Sequence, residues 1–192
     1  MSEHISNELF KDKRFGFFLY LVVEAVMFLT LFATYFIFTP PAEGAQPSDV
    51  FEWQMVVLTS AFLLSSSGTL LIAEKGLETG NRKKIWTGLI ITFVLGAVFL
   101  GLEIYEFYEY AHSGHTISEN NFLSSFYVLV GLHASHVAFG IGWMLLLMGQ
   151  LKANRVPKAL FKEKHKIFNY YWHFVDVIWV FIILIVYLPY IL

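Results

Sequence analysis

FGFFLYLVVEAVMFLTLFATYFIF, running from Phe15 to Phe38, holds one charged side chain, Glu24, and no proline. A bilayer hydrocarbon core about 30 Å thick is crossed by roughly 20 mostly apolar helical residues, so this stretch is long enough to span it. Its apolar residues run continuously and do not alternate, which excludes a strand of an outer-membrane barrel. In hydrocarbon only a helix then satisfies the backbone. Four further stretches qualify, at about 53–73, 85–105, 122–147 and 170–191. The expected fold is all-α: an integral membrane bundle of five transmembrane helices, forming a single domain over residues 1–192.

Composition agrees. Of 192 residues, 57% are hydrophobic and only 15% charged, against roughly 25% charged in soluble domains. This excludes a soluble globular enzyme and a disordered chain. The absence of cysteine excludes a disulfide framework, thiolate metal sites and cysteine nucleophiles.

The basic residues set an expected orientation. Lys11, Lys13 and Arg14 precede the first span. Lys75, Arg82, Lys83 and Lys84 lie between the second and third. Lys152, Arg155, Lys158, Lys162, Lys164 and Lys166 lie between the fourth and fifth. These are all 13 of the basic residues, and the remaining loops carry the acids Glu43, Asp49, Glu52, Glu109 and Glu119. By the positive-inside rule the N-terminus is inside and the C-terminus outside. The clusters suit anionic lipid headgroups and not nucleic acid, because they lie in connections held at the membrane. The first fourteen residues are polar and the first span exceeds a signal-peptide core, so that span is expected to be its own insertion signal. No repeat of 20–50 residues is visible. Pro40–Pro41 and Gly44–Pro47 mark an outer loop, Gly76, Gly80 and Asn81 a tight inner turn, and 152–166 the longest inner connection.

Ionisable groups at membrane depth are costly, by about 2.5–3.5 kcal/mol on insertion scales, so each is a candidate functional residue. Glu24 stands near mid-depth with no Lys or Arg in any span to pair with it. Desolvation favours its uncharged form, which can donate a hydrogen bond between helices or hold a proton. Glu103, Glu106 and Glu109 recur every three residues; Glu103 is the deepest, and the other two are expected at the solvated edge. His133 and His136 share a helical face, and with Glu24, Glu103 or His173 they supply enough ligands on paper for a metal. Against that, their helix has no Glu-x-x-His motif, and its Gly131, Ala134, Ser135, Ala138 and Gly140 suit close helix packing. His173 and Asp176 form an i,i+3 pair, flanked by Trp172 and Trp179 as interfacial aromatics would be. Ser65-Ser66-Ser67-Gly68 reads as a packing surface with hydroxyls bonded back to helix carbonyls. No catalytic residue and no metal ligand is assigned.

Taken together, these motifs resemble subunit III of the haem-copper oxidases, in family order over nearly the whole chain. Arg14-Phe-Gly16 followed by Glu24 is similar to the opening of the family's acidic helix. Gly101-Leu-Glu-Ile-Tyr-Glu-Phe107 resembles its third span. Gly131-Leu-His133-Ala-Ser-His136-Val137 resembles its Gly-x-His-x-x-His helix. Tyr171-Trp-His-Phe-Val-Asp-Val-Ile-Trp-Val-Phe181 resembles its last span. The form is the five-helix bacterial one, most like the caa-type cytochrome c oxidases. The resemblance implies a non-catalytic subunit of a proton-pumping terminal oxidase in a bacterial plasma membrane, one that reduces oxygen to water in aerobic respiration. It implies haem and copper in partner subunits, none in this chain, with bound phospholipid. It implies packing against oxidase subunits I and II, with IV as a further partner, where this chain supports proton uptake by subunit I. Glu24 matches the family's carbodiimide-reactive carboxyl. Quinol oxidases and the accessory protein of nitric oxide reductases share the pattern. From other classes, a small proton channel or transporter predicts a hydrated path through Glu24, and a metal or haem enzyme predicts ligation by His133, His136 and His173.

Overall fold

The computed structural model describes the backbone of residues 2–191 apart from Ala42 and Arg155, and the side chains of 10–190 apart from those two and Asp49. Arg155, counted above in the last basic cluster, therefore lies outside the described residues. The elements are α1 (Ser2–Phe38), the single turn α2 (Pro47–Val50), α3 (Trp53–Glu78), α4 (Arg82–His112), α5 (Asn121–Ala153) and α6 (Lys158–Ile182). From α6 the chain continues through a π-helical turn, Ile183–Tyr187, into α7 (Leu188–Ile191). No strand occurs among the described residues. Five helical stretches, Phe10–Phe38, Trp53–Glu78, Arg82–His112, Asn121–Ala153 and Lys158–Tyr190, are long and apolar enough to cross a membrane. The protein is a multi-pass membrane protein.

The helices outrun the expected spans, most of all at α6, which starts at Lys158 and not near 170. Phe161, His165 and Phe168 recur at helical spacing and are buried, while Lys158 and Lys162 face outward. That amphipathic pattern carries the helix beyond the hydrocarbon. The expected long connection shrinks to residues 154–157. There Asn154 adopts a left-handed φ of 51° and its N–H closes α5 on Gln150 O at 3.2 Å.

α3 and α4 form a hairpin of very close approach. A Cβ on Gly88 would lie 2.4 Å from the backbone nitrogen of Ala73, so only glycine lets the two helices meet there. Gly80 turns the chain at φ +65°, and Asn81 Oδ1 caps α4 by accepting from the N–H groups of Lys83 and Lys84 at 3.1 and 3.2 Å.

α6 occupies the middle of the bundle, packed against α1, α3 and α5; α4 packs on α3 and α5. Trp172 and Trp179 of α6 are fully buried. Their expected place at the membrane interface is therefore corrected: they lie in the core, because each indole N–H finds a serine hydroxyl across the bundle. Arg14 pairs with Glu163 at 3.4 Å, Arg82 Nη2 donates to Leu151 O at 2.5 Å, and Lys164 Nζ donates to Gln150 Oε1 at 3.0 Å. The three basic clusters thus meet at one end of the bundle.

Candidate functional site

Glu24 of α1 meets His136 of α5, with Oε2 3.2 Å from Nε2, and both side chains are largely buried. The other ring nitrogen, Nδ1, lies 2.9 Å from Leu132 O. A carbonyl only accepts, so Nδ1 carries the hydrogen. The contact to Glu24 then holds one shared proton: either the neutral acid donates to a neutral imidazole, or an imidazolium donates to a carboxylate. Both states are neutral overall, so the pair avoids the cost of an isolated charge in hydrocarbon. The partner Glu24 lacks among Lys and Arg is supplied by histidine. Phe28 packs 5.2 Å from the His136 ring, and Tyr171 OH donates to His136 O at 2.9 Å, drawing α6 into the same cluster.

His133, one turn earlier, faces elsewhere. It is fully buried, stacked on Trp179 at 5.1 Å and met edge-on by Phe99 at 5.9 Å, and neither ring nitrogen has a hydrogen-bond partner. Glu103 is 1% exposed and both its oxygens are unpartnered. Glu106 is also buried and accepts from Tyr110 OH, one turn on. This corrects the expectation of a solvated Glu106: Tyr110 supplies the donor that water would otherwise provide. Glu109 is exposed.

The remaining cluster joins α6 to α3. Trp172 Nε1 donates to Ser66 Oγ at 2.9 Å and Trp179 Nε1 to Ser60 Oγ at 3.1 Å. Ser67 donates to Asp176 Oδ2, which lies 3.7 Å from His173 Nδ1. Asp176 Oδ1 is buried without a partner, and the His173 side chain is about half exposed. Ser66 does bond back to Leu63 O, at 2.6 Å, while it accepts from Trp172. Thr69 and Thr92 meet at 2.8 Å and extend the polar seam into α4. Sequence reasoning missed Ser60 and the role of Ser66 and Ser67 as partners of α6. The available signal was their spacing on α3, with seven residues from Ser60 to Ser67, matched by Trp172, Asp176 and Trp179 on α6.

The three imidazoles therefore do not converge. His133 faces α4 and α6, His136 faces α1, and His173 pairs within α6. No group of three or more His, Asp or Glu is placed to hold a metal among the described residues. What the arrangement does is join helices through buried hydrogen bonds and one buried Glu–His contact.

A family model described as cytochrome c oxidase subunit III matches residues 2–190. The cytochrome c oxidase subunit 3 of Bacillus sp. (strain PS3) is 44% identical over 179 residues, covering 93% of this chain and 86% of the relative. The quinol oxidase subunit 3 of Bacillus subtilis (strain 168) is 42% identical, covering 90% and 85%. The cytochrome bo(3) ubiquinol oxidase subunit 3 of Pseudomonas aeruginosa is 38% identical, covering 91% and 83%.

Proposed function

The chain belongs to the cytochrome c oxidase subunit III family, and from that membership we infer that it works, without a redox centre of its own, beside subunits I and II of a haem-copper oxidase that reduces oxygen to water and translocates protons. Haem and copper belong to those partners, with subunit IV as a further neighbour. The observation that carries this reading is the near end-to-end match to a third subunit, on a bundle whose Glu24 and His136 meet at 3.2 Å across α1 and α5.

The whole chain acts as one transmembrane domain. Its basic end, tied by Arg14–Glu163 and Arg82–Leu151 contacts, faces the cytoplasm of a bacterium, so the N-terminus is inside. Relatives from Bacillus and Pseudomonas support a plasma-membrane location. Cytochrome c oxidase and quinol oxidase subunits match at almost the same identity, 44% and 42%. This supports the choice of electron donor lying in another subunit. Glu24 and His136 act as a proton-holding joint between helices; Trp172, His173 and Asp176 fix α6 to α3; Glu103 and His133 are buried interior groups. The bundle steadies subunit I and the lipid around it, and through them proton uptake.

Affinity purification of the tagged chain in mild detergent tests the reading. Co-elution with a haem-bearing subunit and oxygen-reducing activity are expected. Recovery as a stable, haem-free chain on its own would overturn it.

A further inference from the structure

At the end of the bundle opposite the basic clusters, a cavity of about 380 Å³ lies between the start of α3 and the end of α4. Glu52, Glu106, Glu109, Tyr110 and His115 line it, and no Lys or Arg does among the described residues. Glu106 reaches it from the interior: the residue is 5% exposed, and Tyr110 OH occupies its Oε1, which leaves Oε2 for water. Glu103 stands one turn deeper on the same face of α4. It is 1% exposed, and both its oxygens are buried without a partner. The buried hydroxyls of Thr59, Ser66, Thr92 and Ser125 all bond back to helix carbonyls. Glu103 has no such bond and joins no helices.

Toward the basic end this acid is shut in. Phe99, one turn back on α4, is fully buried and meets Trp179 edge-on at 4.8 Å and His133 at 5.9 Å. A Cβ on Gly96 would lie 3.8 Å from Ile141, and one on Gly131 3.6 Å from Phe107. Between those two contacts of α4 with α5, His133 comes level with Glu103, but its ring lies stacked on Trp179. Tyr110 and Tyr187 are the phenols in the field of Glu103. No Lys or Arg stands on α4 beyond Lys84 or on α5 before Lys152, so the acid carries its proton. Each unmet oxygen at this depth costs about 1–3 kcal/mol, and what such a carboxyl offers is that proton. Carboxyls at i and i+3, with Cβ atoms about 5–6 Å apart, are within reach of one bridging water. We propose that Glu103 is a proton-binding site that exchanges with the aqueous side through Glu106 and the acidic cavity, and that Phe99 and Trp179 close it to the opposite side. In the exchange an O–H bond of Glu103 breaks as one forms on the bridging water, which passes a proton of its own to Glu106 and so to the cavity. The return step restores the acid, and nothing is consumed. The site is separate from the Glu24–His136 joint, and its failure would leave the family reading intact.

The test is infrared spectroscopy of the tagged chain, purified with whatever co-elutes and held in phosphatidylcholine nanodiscs, during a switch from H2O to D2O. The C=O stretch of a protonated carboxyl is expected at neutral pH, identified as Glu103 by its loss in Glu103→Gln. It should shift in D2O as the proton exchanges. In Glu106→Gln the shift should slow by about tenfold or more, because exchange must then await local opening of the bundle. Tyr110→Phe, which frees the Glu106 carboxyl, should also slow it, and Glu24→Gln should leave it unchanged. Should Glu106→Gln fail to assemble, Tyr110→Phe decides. No protonated Glu103 band at neutral pH, or a band that never shifts in D2O, would overturn the proposal. So would wild-type exchange rates in both Glu106→Gln and Tyr110→Phe.

Discussion

The Trp172 indole donates to Ser66 Oγ at 2.9 Å and fills the space over Gly140, where a Cβ would stand 2.6 Å from the ring. One side chain thus joins α3, α5 and α6, and its size and its N–H are both used. Close packing and interhelical hydrogen bonds are what hold helices together once lipid has removed the hydrophobic contrast.

Gly140→Ala should destabilise the bundle by about 1–3 kcal/mol through overpacking against Trp172. Gly142→Ala has nothing within 4 Å of the new methyl and should be neutral. Denaturant titration of the detergent-solubilised protein compares them, and equal effects would contradict the slot.

Trp172→Phe keeps most of the ring and removes the N–H. With Ser66→Ala it makes a double-mutant cycle, whose coupling should be about 0.6–1.7 kcal/mol, the range for hydrogen bonds between membrane helices. Zero coupling would mean that the indole contributes by volume alone.

The α3–α4 hairpin depends on Gly88 in the same way. Gly88→Ala sets a methyl 2.4 Å from the backbone of Ala73, which cannot swing aside as a side chain can. A loss of about 1–3 kcal/mol or failure to assemble is expected. Gly68→Ala meets nothing within 4 Å and serves as the control.

Glu24→Gln can still hydrogen-bond His136 Nε2 through its amide, so the variant should assemble and turn over at near-normal initial rates. Glu24→Leu leaves that nitrogen unpaired and should cost about 1–3 kcal/mol of stability. Oxygen uptake by the purified complex checks the first and unfolding the second. Complete loss of oxygen reduction in Glu24→Gln at normal haem content would assign the carboxyl a larger part.

His133→Leu removes two buried ring nitrogens that have no partners, so it should be neutral or stabilising and should leave the haem spectrum of the complex unchanged. Loss of haem with the bundle still folded would revive ligation by this residue.

Five spans, helical throughout, were legible from Phe15–Phe38 and its four counterparts, because continuous apolar length is a local property. The partnerships were not. Lipid-facing and core-facing sides of a membrane helix are both apolar, so Phe36 on the surface of α1 and Phe28 in its core look alike in the sequence. Amphipathic period, the usual guide to which face is buried, is absent until the helix leaves the hydrocarbon, as α6 does at Lys158–Lys166. The inward turn of Trp172, Trp179 and Glu106 depended on Ser66, Ser60 and Tyr110; the serines lie more than 100 residues from their tryptophans. The Glu24–His136 contact, 112 residues apart, was equally hidden, although both residues stood out one by one.

α6 is the axis on which α1, α3 and α5 rest, yet a ribosome makes it after all of them. Until it enters the membrane, the hydroxyls of Ser60, Ser66 and Ser67 on α3 lack the α6 partners they have in the finished bundle, and the slot over Gly140 stands open. The surfaces of α1, α3 and α5 that α6 covers can therefore close only once the last span is in place.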